Sequence, residues 1–230
     1  MRSNTTMKTT TAIISAFSLF VLSGCGPKER PLTQAEIKEA AEFFGGNINF
    51  TATQTEYSHN PTKGWNDPTN TTDITFSEGK RREAVIASFD GSVVFVTITR
   101  PDRNLAYYVW TKDNVFVEGV LRSPKALATP IPNPIKGKSD IGEETVSGHP
   151  CIKCKVIIQE GGSATEWTTW EATDLNRFPI RVEYPAGGKI RKFEYTNIKL
   201  DKPDPSLFEL PKGCKKVKIK PGTQMVKPTS

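Results

Sequence analysis

The sequence predicts a mainly β protein, an antiparallel sheet carrying one N-terminal amphipathic helix, and three observations carry that prediction. From Asn47 onward the chain is a succession of short runs rich in Val, Ile, Thr, Tyr, Phe and Trp, separated by turn-forming residues. Asp90-Gly91, between Val85-Ile86-Ala87 and Val93-Val94-Phe95-Val96, is the kind of dipeptide that a two-residue hairpin turn requires. Helical spacing of apolar residues is confined to one stretch near the N-terminus. Hydrophobic residues make up 36% of the 230. That lies below the usual 45 to 50% or so, as suits an open sheet with much half-exposed surface.

The chain begins with Arg2 and Lys8, followed by an apolar run from Ala12 to Leu22 broken only by Ser15 and Ser18. This is the n-region and h-region of a signal peptide. The run is too short to span the hydrocarbon core as a helix, which takes about 20 apolar residues. Leu22-Ser23-Gly24-Cys25 resembles the bacterial lipobox, so residues 1–24 are expected to be removed and Cys25 to become an acylated first residue. Removal takes away two cations and no acid, lowering the formal charge from +6 to +4. Gly26 follows the lipidated cysteine in place of the aspartate associated with inner-membrane retention, which points to the outer membrane.

Residues 25–32 read as a tether, of which the polar stretch Gly26 to Pro31 reaches roughly 20 Å when extended. Thr33-Gln34-Ala35-Glu36 is a capping box, with Leu32 and Ile37 placed as a hydrophobic staple. Ile37, Ala40, Ala41 and Phe44 then form one apolar stripe, and Gly45-Gly46 ends the helix. A helix of three turns with so narrow a stripe needs a sheet to lie on.

Strands are expected near 48–57, 72–77, 80–89, 92–100, 104–111 and 114–120, with a long loop at Asn60 to Asn70. Lys112-Asp113 is a weaker hairpin signal than Asp90-Gly91. The run Val93 to Ile98 has few polar interruptions and should be covered on both faces, the N-terminal helix being the obvious cover. Ser123 to Ser139, with Pro124, Pro130, Pro132 and Pro134, favours extended polyproline-like chain over regular structure. It is read as a long connection within one domain spanning 33–220, because neither half has the apolar content for its own core. Further strands are expected near 143–147, 151–160, 164–173, 178–184 and 189–200, and a last one at 214–220, with hairpins at Gly161-Gly162 and Gly187-Gly188. Residues 221–230 form a tail. In Lys215-Lys216-Val217-Lys218-Ile219-Lys220 the lysines share one face. They either face anionic lipid or, the favoured reading, protect a sheet edge.

Reactive chemistry is sparse. Cys151, Cys154 and Cys214 remain after the lipobox cysteine, an odd number for pairing within one chain. Cys151 and Cys154 lie three apart in an expected strand and so face opposite ways, unlike the cysteines of a thioredoxin-like site. His149, Cys151 and Cys154 supply only three zinc ligands, short of the four of a closed structural site. A disulfide from Cys214 to Cys151 or to Cys154, closing a loop of about 60 residues, is the expected role. No metal, no cofactor and no catalytic set is expected. His59 and His149 are the only histidines and sit near turn residues, and the carboxylates read as surface solvation. The slight positive charge of an exported chain argues against nucleic acid.

Gly79-Lys80-Arg81-Arg82-Glu83, Ile98-Thr99-Arg100-Pro101-Asp102, Tyr108-Val109-Trp110, Val146-Ser147-Gly148-His149-Pro150-Cys151, Tyr195-Thr196-Asn197-Ile198 and the stretch Asp204 to Gly213 together resemble a branch of the LolA-like envelope superfamily to which no activity is generally assigned. The match runs over roughly residues 48–220, and Leu207-Phe208-Glu209-Leu210-Pro211 is its most specific part. The resemblance implies a curved antiparallel half-barrel with the helix on its concave face. It also implies a concavity that holds a lipid or a lipoprotein's acyl chain, without catalysis.

An incomplete barrel leaves an apolar inner face open to a ligand or partner unless it is filled. Val94, Val96, Phe116, Trp167, Trp170, Ile180, Val182, Tyr184 and Phe193 are the candidate lining. Trp167 and Trp170, three apart, cannot both face inward. The expected partners are therefore membrane lipid through Cys25 and a lipid or lipoprotein in the concavity. The competing reading is a structural or protein-interaction lipoprotein, and a weaker one is a thiol redox or metal module at Cys151 and Cys154.

Overall fold

A computed structural model describes residues 49–88, 90–120, 135–160 and 163–218. The expected signal peptide, Cys25, the tether, the helix and the tail lie outside them. The strands are β1 (Asn49–Asn60), β2 (Gly64–Trp65), β3 (Asn70–Ser77), β4 (Lys80–Ile86), β5 (Val93–Arg100), β6 (Leu105–Trp110), β7 (Val115–Val120), β8 (Ile135–Val146), β9 (His149–Glu160), β10 (Ser163–Ala172), β11 (Phe178–Ala186), β12 (Lys189–Lys199) and β13 (Lys215–Lys216). They form one open sheet in the order β13-β7-β6-β5-β4-β3-β1-β12-β11-β10-β9-β8, with β2 paired to β1. Two meanders thus meet at β1, which pairs antiparallel with both β3 and β12. Among the described residues every pairing is antiparallel except that of β13 with β7.

Turn chemistry sets the registers. Ser147-Gly148 and Gly187-Gly188 have both residues at positive φ, the conformation that matches a two-residue turn to strand twist. Val146 accordingly faces His149, and Ala186 faces Lys189. Asp90-Gly91 does not make the expected two-residue hairpin. Ile86 pairs with Val93 and the turn spans Ala87 to Ser92, because the Asp90 carboxylate caps the Ser92 amide and Gly91 N–H bonds back to Ala87 O. β8 also begins at Ile135, well before the expected 143, so the last residues of the proline-rich segment are strand. They lie beyond Pro134, where backbone donors are again free to join a ladder.

The sheet curves, and the chain shows why. Fourteen residues separate the end of β7 from the start of β8. These strands lie about ten inter-strand gaps apart, roughly 48 Å in a flat sheet. Fifteen Cα steps reach roughly 50 Å when fully extended, so a flat sheet would consume nearly the whole connection. The inner face is where side chains from non-adjacent strands converge. Phe50 on β1 reaches across β12 to Phe178 on β11 with ring centroids 5.1 Å apart, about half the distance two strand spacings would give. Phe76, stacked on Phe50 at 5.7 Å, extends this cluster to β3.

A second cluster lies on the outer face of β4–β7. Ala84, Val96, Ile98, Tyr107, Val109 and Phe116 are covered there by Phe208 with Leu210 and Cys214. The cover on this face of β5 is therefore the 3-10 turn Pro205–Phe208, which the sequence did not announce, while the helix expected over the concave face lies outside the described residues. Asp204 caps that turn by accepting a bond from the Ser206 amide.

Candidate ligand-binding face

The inner face is read strand by strand from the register. Gln54 opposite Tyr195 and Glu56 opposite Phe193 carry it from β1 to β12, Phe193 opposite Val182 to β11, and Val182 opposite Thr169 to β10. Alternation then places Trp167 and Tyr184 on the same face. Trp167 and Tyr184 stack with centroids 4.6 Å apart, and Tyr184 meets Phe193 at 5.2 Å, giving a ladder of three rings across three strands. Val156, Ile158, Ile180 and Val182 pack around it and are fully buried. Tyr184 itself is half-buried. Burial, reinforced by the nearby Glu56 carboxylate, raises its phenol pKa well above the ordinary value, so it stays neutral.

Polar groups bracket this surface. At one end Arg191 Nη1 and Glu56 Oε1 form an ion pair at 2.5 Å. At the other, Glu171 is 1% exposed and accepts from Lys138 Nζ at 2.6 Å and from Arg177 Nε at 2.8 Å. Arg177 Nη2 also reaches Asp140 at 3.0 Å and Cys154 Sγ at 3.3 Å, and the bond to Arg177 holds the Asp140 carboxyl below its usual range. Across β1 the inner face turns polar, with Gln54, Thr72, Thr99 and the Arg81–Glu83 pair at 2.6 Å. The concavity is thus apolar over β9–β12, whereas over β4 and β5 it is polar at Arg81, Glu83, Thr97 and Thr99 and apolar at Val85 and Phe95, whose ring meets that of Trp110 at 5.3 Å.

Four of the candidate lining residues, Trp167, Val182, Tyr184 and Phe193, are brought together, with Ile180 beside them. The others are not. Val96 and Phe116 belong to the outer cluster under Phe208, because Ala84 opposite Val96 and Val109 opposite Phe116 share the face opposite Phe50. Trp170 also faces outward, opposite Arg181 and Lys153, whose cations lie 5.3 Å and 4.9 Å from its ring, while its indole N–H donates to Glu144 at 2.8 Å. Val94 is the extra residue of a bulge in β5 and is 38% exposed. Sequence reasoning missed Lys138, Glu171 and Arg177. Glu171 next to Trp170 in an otherwise apolar strand was the available signal, since a carboxylate buried there demands partners.

The expected disulfide is not formed: Cys151, Cys154 and Cys214 are all free thiols. Cys214 sits beside Asn114 at the β7 edge, whereas Cys151 and Cys154 are on β9, near the far end of the strand order. Cys154 faces inward opposite Thr169, and Cys151 faces the other way opposite Glu144. Burial, with Glu171 and Asp140 adding to it, pushes the Cys154 thiol up to about 11, and burial also raises Cys151 and Cys214. These are thiols at neutral pH and poor nucleophiles. His149 Nδ1 is 2.8 Å from Asp174, and among the described residues no group of three or more His, Cys, Asp or Glu is placed to hold a metal.

No family model and no curated protein matches the chain. Among solved structures it is similar to the Mycobacterium tuberculosis lipoprotein LppX, at 13% identity over 71% of this chain and 93% of that one, with a TM-score of 0.42. It is similar to LprF from Mycobacterium bovis at 11% identity, covering 77% and 99% with a TM-score of 0.40. A LolA superfamily protein, NE2245 from Nitrosomonas europaea, is similar at 8% identity, covering 76% and 96% with a TM-score of 0.39.

Proposed function

We propose that this is a lipid-anchored envelope protein, held through an acylated Cys25, whose curved sheet binds an apolar ligand on its inner face without catalysis. The ligand is a lipid or the acyl chain of a lipoprotein. The observation that carries the reading is the Trp167–Tyr184–Phe193 ladder, set among Val156, Ile158, Ile180 and Val182 on one face of an open sheet. Burying an acyl chain there contributes about 0.8 kcal/mol per CH₂ group. The ion pairs at either end, Glu56–Arg191 and the Glu171 cluster, limit how far an apolar chain extends along the sheet. The lipobox-like Leu22-Ser23-Gly24-Cys25 supports anchoring, and Gly26 supports the outer membrane facing the periplasm.

The lining is already nearly closed to solvent, with Val182 at 0% and Phe193 at 6% exposure, so a ligand enters only by replacing whatever covers it. The test is native mass spectrometry with lipid extraction on protein purified from the envelope of an expressing cell. Copurified lipid or acylated peptide that is lost in Tyr184→Arg, with the fold intact by circular dichroism, supports the reading. A clean apo mass that persists after incubation with envelope lipids overturns it and favours a face filled by the protein itself, and with it a structural or protein-docking role.

A further inference from the structure

One corner of the sheet combines exposed apolar side chains with unneutralised cations, and neither the inner face nor the core explains it. Trp65 on β2 is 37% exposed and Ile190 on β12 is 47% exposed. The register of Tyr57 opposite Lys192 puts both on the outer face, and alternation adds Ile190. Lys192 Nζ lies over the Tyr57 ring at 4.2 Å and the Trp65 ring at 4.8 Å, and His59 packs edge-on against Trp65 at 5.1 Å. The Trp65 ring is therefore held in place at the surface, without being drawn into the core.

Two turns flank it. Lys63 and Lys189 stand exposed there, and Asp67 is the only acid in residues 61–69 or 185–190. Further along the same rim, Lys112, Lys212 and Lys215 outnumber Asp90 and Asp113, and exposed Val94 adds another apolar tip. Among the described residues none of these five lysines makes an ion pair. At the opposite rim Lys202 pairs with Glu78 and Arg103 with Glu209, while Lys199 is exposed there with no ion pair among the described residues.

We infer that this rim docks on the surface of an anionic phospholipid bilayer, with Trp65 and Ile190 entering the headgroup boundary and the lysines facing lipid phosphates. Indole is amphipathic and settles at the membrane–water boundary. Lysines beside it are drawn to an anionic leaflet and released by salt. Apolar tips scattered along a cationic rim suit a penetrable surface, whereas a protein interface gathers its apolar residues at a fully buried centre depleted of charge. The inference stands apart from occupancy of the inner face. Anchoring through Cys25 only brings the rim within reach.

The experiment uses the full chain reconstituted into vesicles of phosphatidylcholine alone or mixed with phosphatidylglycerol, with acyl chains brominated close to the headgroup, and reads tryptophan emission. Stronger quenching in the anionic vesicles is expected, together with its loss in Trp65→Phe, in the Lys63→Glu/Lys189→Glu pair and at high salt. Equal quenching in the two lipids overturns the proposal and leaves the rim to an acidic protein. A lipid-dependent difference that survives Trp65→Phe overturns it as well, because another indole would then be the one in contact. Near-UV circular dichroism of each variant confirms the fold. Ligand copurifying with these rim variants, read by mass, fails or persists independently of the quenching.

Discussion

Arg100, at the end of β5, donates from Nη1 to the backbone carbonyl of Phe208 at 3.1 Å. The same guanidinium holds Asp102 through two bonds at 2.9 and 2.7 Å and Glu209 at 2.5 Å, although Glu209 lies 109 residues further along. One buried side chain thereby pins the C-terminal turn over the outer cluster. These bonds, first that to Asp102, raise the Arg100 pKa still further, so its charge is permanent.

Arg100→Ala is expected to cost about 2 to 3 kcal/mol, less than a fully buried pair because both carboxylates are half-exposed. Urea unfolding should show the loss, and hydrogen exchange should show Glu209 and its neighbours losing protection first. An unchanged midpoint would mean that Phe208 packing alone holds the turn.

The same clasp predicts an acid response. Bonds to Arg100 lower the folded-state pKa of both Asp102 and Glu209 below their ordinary 3.8 and 4.5. Their contribution is therefore complete above the unfolded values and is lost as pH falls through the depressed folded ones. Stability should decline below about pH 4, and Arg100→Ala should flatten that decline. A parallel pH curve for the variant would contradict the assignment.

Thiol titration should find Cys214 reacting first under native conditions, since it is the least buried of the three. Cys151 and Cys154 should react only as the chain unfolds. Denatured, unreduced protein should release all three. Any protected pair would show that a disulfide forms in the envelope after all.

Glu171→Gln removes the charge between Lys138 and Arg177 at a site that is 1% exposed. A loss of about 3 kcal/mol is expected. Phe178→Ala, which removes the ring between Phe50 and Tyr195, should cost about 3 to 5 kcal/mol. Thermal or urea midpoints check both, and a loss in Glu171→Gln alone of under ~1 kcal/mol would recast the cluster as surface solvation.

Strand positions were legible because turns are written locally. Gly187-Gly188 demands backbone that few other residues adopt, and the strands on either side follow from it, whereas Ser147, expected at the end of a strand, opens a turn with Gly148. Which face a residue occupies was far less legible. Val96 and Val182 sit in equally apolar runs, yet bulges at Val85/Ile86 and Trp170/Glu171 shift the register on either side, and only the full strand order decides the outcome. The separation of Trp167 from Trp170 needed only their spacing of three. The Glu171 cluster draws on β8, β10 and the turn after it, and no window of sequence holds all three.

The central position of β1 has a consequence for assembly. Within each meander, neighbours in the sheet are neighbours in the chain, and such contacts form quickly. Apart from the short β13 on β7, β1 makes the long-range pairing: Thr55 must find Glu194, well over a hundred residues away, before the two halves become one sheet. A chain emerging N-terminus first therefore holds one edge of its first strand open until nearly everything else has arrived. Closure of that seam is expected to be the slow step, and the interval before it the one in which an escort would matter most.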